Sequence, residues 1–211
     1  MIFMNTPTIT GGGYPPMKEK LILVTLDLAA RKGLDVTSLA DIADAAGIRK
    51  ASIFSHFSSR EELVGELFSY CSALASKQEI TISFSGTAEH VLSRAIAHWD
   101  ALYSTSPLSL FYKIVEQQKL ILTLASRTHR SFALMLEGQA RVLLETLNET
   151  GRLDIAETDL AVLMFSSTVS AFLIRAMDIL PDEDGDAQQE LEWQKERFIR
   201  RFCELYAPRK T

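Results

Sequence analysis

Residues 37–57 read TSLADIADAAGIRKASIFSHF. The apolar side chains of the first half recur at i, i+3, i+4 and i+7, as on one face of an α-helix: Leu39, Ile42, Ala43 and Ala46. Gly47 follows this run directly, and glycine takes the left-handed backbone that ends a helix at little steric cost. The stretch therefore predicts a short helix that stops at a tight turn.

Both ends of this turn carry further signals. Ser38 followed three residues later by Asp41 is typical of a capping box, in which side-chain oxygens accept from open backbone N–H groups. After Ile48, which we expect to be the buried pin of the turn, a second helix over residues 50–56 would turn Ile53 and Phe57 inward. Its outer face is then polar and partly basic: Arg49, Lys50, Ser52, Ser55 and His56. Such a helix-turn-helix is the arrangement that enters a DNA major groove.

The motif also resembles a known family. The pattern Thr-Ser-x-x-Asp-Ile-Ala-x-Ala-Ala-Gly-Ile, then Phe-x-His-Phe, then Ser-x-Arg-Glu-x-Leu is similar to that of the TetR/AcrR family of bacterial transcriptional regulators. The resemblance covers about Lys18 to Leu63. It implies an all-α fold, with an N-terminal three-helix helix-turn-helix domain and a C-terminal helical effector and dimerisation domain. We place a flexible arm at residues 1–16, the DNA-binding domain at 17–63 (motif about 38–57), and the ligand-binding and dimerisation domain at 64–211.

The resemblance further implies which residues meet a double-stranded, near-palindromic operator. They are Lys18, Lys20, Thr37, Ser38, Arg49, Lys50, Ala51, Ser52, Phe54, Ser55, His56 and Arg60. Four of these positions depart from the family's usual form, which has Tyr at Phe54, Gly at Ala51, a small hydroxyl residue at Arg49 and Lys at Arg60. The missing Tyr hydroxyl removes one phosphate contact, which Arg49 could replace.

The charge distribution agrees with a protein that touches DNA at one end. The net charge is −5, which excludes an overall basic coat. Up to Arg60, however, seven Lys and Arg stand against five Asp and Glu, whereas the rest of the chain has 15 against 22. The N-terminal part up to Arg60 is therefore basic, and the rest of the chain is acidic.

Helical patterns continue along the whole chain, and 47% hydrophobic residues can fill a substantial core. A first helix begins at Met17 and ends at Gly33, and residues 80–86 form a connector despite their alternating pattern. Residues 181–186 form an acidic loop. The other expected helices cover about residues 59–77, 87–103, the segment beginning at Ser106-Pro107, 123–150, 159–180 and 187–206.

The segment 159–180 is apolar nearly all round, and one chain offers too few neighbours to cover it. We therefore expect a homodimer. The resemblance implies that the last two helices form a four-helix interface with the second copy. The candidate interface residues are Phe172, Met177, Leu191, Phe198 and Phe202. A two-fold dimer would space its DNA heads about 34 Å apart, as successive major grooves are.

The sequence contains no recognisable catalytic or metal-binding motif. The chain has no G-x-S-x-G, P-loop, G-x-G-x-x-G or H-E-x-x-H pattern, and its four histidines are scattered. We expect no enzyme activity, no metal and no cofactor. Cys71 and Cys203 form no disulfide framework, and no signal peptide is visible. The longest apolar run, residues 160–174, is shorter than the ~20 residues of a membrane span. We expect a cytoplasmic protein without a membrane partner, nucleoid-associated when bound to DNA.

The C-terminal half mixes aromatic and polar side chains in a way that favours a small-molecule pocket. The candidates are His98, Trp99, Tyr103, Phe111, Tyr112, Glu116, His129, Phe132, Met135, Phe165 and Ser166. The resemblance implies an effector cavity here, and the residues favour an apolar or aromatic molecule. The sequence thus predicts a repressor that releases its operator on binding an effector. Two alternatives stay open: a DNA-binding protein of this fold controlled by protein partners, and a helical enzyme or adaptor with a vestigial helix-turn-helix.

Overall fold

A computed structural model of the chain describes residues 16–77, 82–179 and 185–208. Within these ranges all regular secondary structure is helical, which confirms the all-α prediction. The expected arm lies outside the described residues up to position 15, as do residues 80 and 81 of the connector and 181–184 of the acidic loop. The described helices are α1 Pro16–Lys32, α2 Leu39–Ala46, α3 Lys50–Ile53, α4 Arg60–Ser76, α5 Ala88–Ser104, α6 Leu108–Gln118, α7 Thr123–Glu149, α8 Thr158–Asp178 and α9 Gly185–Leu205.

The chain divides into two compact units, Met1–Gln78 and Glu79–Thr211. We expected a boundary between residues 63 and 64, but α4 belongs to the first unit along its whole length. The reason is packing: α4 lies against α1 and buries Leu63, Leu67 and Phe68 in the core of that unit. A hydrogen bond of 2.6 Å from the Tyr70 hydroxyl to Glu19 Oε1 also joins the two helices.

The first unit is a small helical domain in which α1 packs against both α2 and α4, and α2 packs against α3. Leu21, Ile22 and Leu26 of α1 are fully buried. Each large apolar side chain removed from water contributes about 1.5–3 kcal/mol. This core holds α2 and α3 in place and leaves their outer faces to solvent.

The second unit is a bundle of α5–α9, in which α7 and α8 form the most extensive helix pair. Its core centres on Phe165 of α8, whose ring lies 6.3 Å from that of Trp99 and 5.2 Å from that of Phe202. Gly151 ends α7 with a positive φ of 68°, at the position expected from the sequence.

By length and composition alone α8 could cross a membrane, with a mean hydropathy of 1.8 over its most apolar window. The apolar run in the sequence ends at Ile174, whereas the helix continues to Asp178. Seven residues of α8 are buried inside the second unit, among them Phe165, Val169 and Phe172. Membrane spans and core helices share this length and composition, and part of α8 packs inside the second unit.

Candidate functional site

The turn between α2 and α3 is held by capping interactions at both ends of α2. At the start, Asp41 N–H donates to Ser38 Oγ (3.1 Å) and Ser38 N–H donates to Asp41 Oδ2 (2.8 Å), so the capping box is present. At the end, Gly47 has a φ of 72°, and Ile48 N–H donates to Ala43 O at 3.0 Å. These bonds fix the direction in which the chain enters α3.

The α3 segment presents an exposed outer face on a buried support. Ile53 and Phe57 are both 1% exposed and anchor it in the core, as the sequence predicts. The regular helix covers only Lys50–Ile53 rather than residues 50–56, because the following turn is tighter: His56 N–H bonds Ile53 O three residues back. The exposed residues on this segment are Arg49, Lys50, Ala51, Ser52, Phe54 and Ser55, and His56 is half-buried.

The exposed face carries positive charge that is not neutralised nearby. Arg49 and Lys50 form no ion pair with any residue that the structure describes. The sequence from Ala45 to Ser59 contains no Asp or Glu. Ser55 Oγ is bonded to Ser52 O at 2.7 Å, so it lies along the backbone. The arrangement offers two cations, small side chains and one exposed ring to a polyanionic partner.

Three cations that the sequence places at phosphates have partners inside the first unit. Lys18 Nζ lies 3.0 Å from Glu66 Oε1 and 5.2 Å from the ring centroid of Phe57. Lys20 Nζ donates to the carbonyl of Ala46 at 2.8 Å. The guanidinium of Arg60 donates to the carbonyls of Leu34 (2.5 Å) and Thr37 (3.3 Å). Lys20 and Arg60 thus satisfy carbonyls left open at a helix end and a turn, whereas Lys18 pairs with a carboxylate. All three side chains join elements of the first unit.

Thr37 and Ser38 also act within the domain. Thr37 is buried and its hydroxyl donates to Gly33 O at 2.7 Å. Ser38 is exposed as the N-cap of α2, and its hydroxyl donates to Asp41 Oδ2 at 2.7 Å. Lys32 Nζ lies 2.7 Å from the same oxygen. The Lys32 hydrogen bond, followed by those from Ser38, holds the pKa of Asp41 well below its usual range.

Five of the expected pocket residues meet around one small cavity in the second unit: Tyr103, Tyr112, Glu116, His129 and Phe132. The rings of Tyr103 and Tyr112 stack at 3.9 Å, and Phe132 meets Tyr112 edge-on at 4.8 Å. The cavity volume is about 30 Å³. That space holds about one water molecule, so the aromatic cluster is closed.

Glu116 is the charged centre of this cluster. Its Oε1 lies 2.6 Å from His129 Nδ1, and its Oε2 lies 2.6 Å from Lys119 Nζ. Burial, and then the negative charge of Glu116, raises the pKa of Tyr103 to about 12. The tyrosine therefore stays neutral at physiological pH. Both carboxylate oxygens already have partners, which stabilises the closed arrangement.

The remaining expected pocket residues do not line this small cavity. Phe111, Phe165 and Ser166 are buried in the packed interior and line neither cavity described here. The spacing of these apolar residues along their helices fits a pocket wall and a packed core equally well. In the structure they form part of the core. His98 is half-buried; its Nε2 is buried with no hydrogen-bond partner among the described residues. Trp99 and Met135 line a second, larger space.

This second space is an open groove of about 440 Å³ on the second unit. Ile82 and Phe84 of the connector form one wall, and residues of α7 form the other: Leu134, Met135, Gly138, Gln139, Val142 and Leu143. Trp99 of α5 closes the floor, with its Nε1 donating to Gln139 Oε1 at 2.8 Å. Of this set the sequence predicts Trp99 and Met135 as pocket residues. Four of the others, Ile82, Leu134, Val142 and Leu143, are aliphatic and resemble ordinary core residues.

The expected dimer-interface residues are buried or half-buried within the second unit. Phe172, Leu191 and Phe202 are buried inside the unit, and Phe198 packs between the rings of Phe172 and Phe165. Met177 lines the small cavity. Because α8 has apolar residues on both sides, the spacing of these residues does not show which side packs inside its own unit. The apolar side chains that the unit leaves exposed on these helices are Leu160, Leu163 and Met164 of α8 and Trp193 and Leu205 of α9.

Outside these surfaces, the second unit contains a buried ion pair that the sequence does not predict. Lys195 of α9 is buried, and its Nζ lies 2.7 Å from Asp100 Oδ2 and 2.8 Å from Glu192 Oε1. Burial raises the pKa of Asp100. The partners lie 95 residues apart, so no local spacing predicts the pair. Among the described residues, no group of three or more His, Cys, Asp or Glu side chains could hold a metal ion.

The first unit is similar in sequence to known bacterial regulatory proteins. A family model described as "Bacterial regulatory proteins, tetR family" matches residues 21–67. The HTH-type transcriptional repressor KstR2 of Rhodococcus jostii (strain RHA1) is 38% identical over 61 residues, 29% of this chain and 30% of that protein. The biofilm operon icaADBC HTH-type negative transcriptional regulator IcaR of Staphylococcus aureus (strain Newman) is 38% identical over 55 residues, 26% of this chain and 30% of that protein. The matched part thus spans less than a third of these relatives.

Solved structures extend the likeness in fold to nearly the whole chain. A transcriptional regulator from Rhodococcus sp. Rha1 has a TM-score of 0.62 at 17% identity, covering 92% of this chain and 99% of that one. MexZ, a repressor from Pseudomonas aeruginosa, has a TM-score of 0.63 at 15% identity, covering 89% and 93%. At these identities the likeness concerns the fold alone. Together with the family match, it confirms the resemblance that the sequence motif indicates.

Proposed function

We propose, from the premise that this chain belongs to the TetR family of bacterial regulatory proteins, that it is a sequence-specific DNA-binding repressor. One observation carries the proposal: the segment from Arg49 to Ser55 is exposed, basic and free of acidic residues, while Ile53 and Phe57 fix it to the core. A rigid outer face of this kind can place side chains against base edges in a major groove. We propose that it acts in the cytoplasm, nucleoid-associated when bound.

The residues assigned to DNA follow from their exposure. Lys50, Ala51, Ser52 and Phe54 are proposed to face the bases, with Arg49 at the edge of this face. Ser55 and His56 are proposed to meet the backbone, as Arg49 would where it reaches a phosphate. Lys18, Lys20, Thr37, Ser38 and Arg60 are proposed to support this face, because they bond within the first unit.

The test is a selection of bound sequences from a random DNA pool, followed by affinity measurements on the selected duplex. Replacing both Arg49 and Lys50 by Ala should weaken specific binding, by about 1–3 kcal/mol for Lys50 if it reads a guanine edge. Lys77→Ala is a matched control, because Lys77 is an exposed cation of the same unit outside the proposed face. Equal affinity of the double variant and the wild type would refute the assignment.

We further propose a homodimer that binds a near-palindromic operator. The exposed apolar side chains of α8 and α9, Leu160, Leu163, Met164 and Trp193, support this proposal. The three α8 residues lie at i, i+3 and i+4, on one face of the helix. Arg197 lies 5.0 Å from the centroid of the Trp193 ring and covers one side of it. A second copy would remove this face from water.

Finally, we propose that the repressor responds to a small apolar or aromatic effector bound in the second unit. Release of the operator requires that the effector bind the non-operator conformation more tightly, since equal affinity for both conformations shifts nothing. Control by a protein partner is the alternative, and the exposed Leu120 and Ile121 between α6 and α7 favour it. Saturable binding of a small molecule that lowers operator affinity would decide for the effector.

A further inference from the structure

The groove between the connector and α7 is large enough for a small molecule. Small-molecule sites occupy roughly 300–1,000 Å³. The groove, at about 440 Å³, falls within this range. The aromatic cluster around Glu116 encloses only about 30 Å³ and would have to open before it admitted an effector. A molecule that binds the present conformation therefore has the groove available.

Gly138 provides a second observation at the same place. It lies in the interior of the 27-residue helix α7, where glycine is less favourable than alanine. A Cβ added there would meet no other atom within 4 Å, so close packing inside this unit does not require the glycine. Its neighbours one turn away, Leu134 and Val142, are 62% and 61% exposed. The missing side chain leaves the middle of the groove wall open.

The groove wall opposite α7 is held in place by two arginines. Arg94 donates to the carbonyl of Ser83 through Nε (3.0 Å) and Nη2 (2.7 Å), and also bonds the carbonyl of Ser85. Arg152 bonds the carbonyl of Phe84. Ile82 and Phe84 pack partly buried against the core of the unit. The groove is therefore built before any ligand arrives, which limits the ordering cost of binding.

The lining defines the chemistry of an occupant. No charged side chain lines the groove, and Gln139 supplies the polar group on its wall. An indole N–H can only donate, so the bond from Trp99 requires the Gln139 oxygen to point toward α5. The Gln139 NH₂ group makes no hydrogen bond to the residues that the structure describes. It is left to donate to a ligand.

We infer that this groove is the effector site and binds an uncharged, largely hydrocarbon molecule carrying one hydrogen-bond acceptor oxygen, such as a ketone or an ester. The acceptor oxygen meets the Gln139 NH₂ group, and the hydrocarbon covers Leu134 and Val142 across Gly138. A carboxylate or an ammonium ion is disfavoured, because the groove offers it no counter-charge. The inference rests on the proposed effector response and names its site and ligand class.

Calorimetry on the full chain with 2-decanone and methyl nonanoate tests this, with decanoate as the charged probe of similar length. We expect saturable binding of both neutral probes and at least about tenfold weaker binding of decanoate. Gly138→Leu, which fills the groove, should weaken the neutral probes at least about tenfold. Gln139→Glu should do so by a similar factor, because it keeps the acceptor for Trp99 but removes the NH₂ donor.

Gly65→Leu is the matched control, since Gly65 is a mid-helix glycine of the other unit whose added Cβ also meets nothing within 4 Å. It should leave probe affinity within about twofold of wild type. Failure of both neutral probes to bind, decanoate binding as tightly as they do, or unchanged affinity in Gly138→Leu would overturn the inference. Operator affinity measured without a probe separates the two proposals. If the protein binds its operator but neither neutral probe, only the inference about the groove is contradicted. If it binds the probes but no operator, only the DNA-binding proposal is contradicted.

Discussion

The ammonium group of Lys20 on α1 lies 2.8 Å from the carbonyl oxygen of Ala46, the last residue of α2. Carbonyls at the end of a helix lack intrahelical partners, so this bond joins α1 to the end of α2. We expect Lys20→Ala to lower the thermal stability of the first unit and to leave the salt dependence of operator binding unchanged. Lys50→Ala should instead reduce that salt slope by about one if Lys50 meets a phosphate. Thermal unfolding and binding isotherms over a salt series measure both.

The two lysines serve as controls for each other, because both are exposed cations of the same unit. A salt slope reduced equally by both substitutions would contradict the structural role of Lys20. An unchanged melting temperature in Lys20→Ala would do the same, since the bond to Ala46 would then contribute nothing to folding.

Phe54 and Phe57 are three residues apart and have opposite environments: Phe54 is 52% exposed and Phe57 is 1% exposed. We expect Phe57→Ala to cost about 3–5 kcal/mol of unfolding free energy, whereas Phe54→Ala should change it by no more than about 0.5 kcal/mol. Phe54 lies on the same exposed segment as Lys50. On DNA its ring is suited to the methyl group of a thymine. Denaturant unfolding of both variants measures the first effect.

Operators in which single thymines are replaced by deoxyuridine measure the second effect, because this change removes only a methyl group. The wild type should discriminate against deoxyuridine at one position of each half-site, and Phe54→Ala should not. Discrimination that persists in Phe54→Ala would assign the methyl contact to another residue.

The parts of the first unit that sequence alone predicts are those set by neighbours along the chain. The Ser38–Asp41 capping box and the Gly47 turn rest on residues three to five positions apart, and the periodicity of Ile53 and Phe57 gives their buried side. The partners of Lys18 and Arg60 lie 48 and 26 residues away. No spacing rule brings them together, so the sequence does not predict these partners.

In the second unit the sequence predicts the helices, but it does not predict where cavities lie between them. Phe165 and Tyr112 satisfy the same periodic pattern, yet one lies in the packed core and the other lines a cavity. The larger groove depends on an aliphatic wall and on the side chain that Gly138 lacks. Likewise, whether Phe172 or Leu163 faces outward depends on how α8 packs against α5, α6, α7 and α9.

The Asp41 carboxylate should make the stability of the first unit depend on pH. Hydrogen bonds from Lys32, and next from Ser38, lower its pKa below the ordinary value of 3.8. A group with a lowered pKa in the folded state stabilises the fold above its unfolded pKa, and this contribution is lost as pH falls through the folded pKa. We expect the difference in melting temperature between wild type and Asp41→Asn to be full near pH 7 and to shrink below about pH 4. Asp44→Asn, an exposed change on the same helix, should show no such trend.

The last prediction concerns the exposed apolar face of α8. Leu163 is 56% exposed, so a charge there should disturb no packing inside the unit, whereas a charge at the buried Phe172 should unfold it. We expect Leu163→Glu to convert the dimer to a folded monomer and to abolish tight operator binding at the same time, because one head alone makes half of the contacts. Sedimentation velocity at micromolar concentration, circular dichroism and operator binding measure these three effects. Leu120→Glu is the matched control: Leu120 is an exposed leucine of the same unit, outside α8 and α9, and its replacement should leave the dimer intact. A wild type that sediments as a monomer, or a Leu163→Glu variant that stays dimeric, would remove this face from the interface.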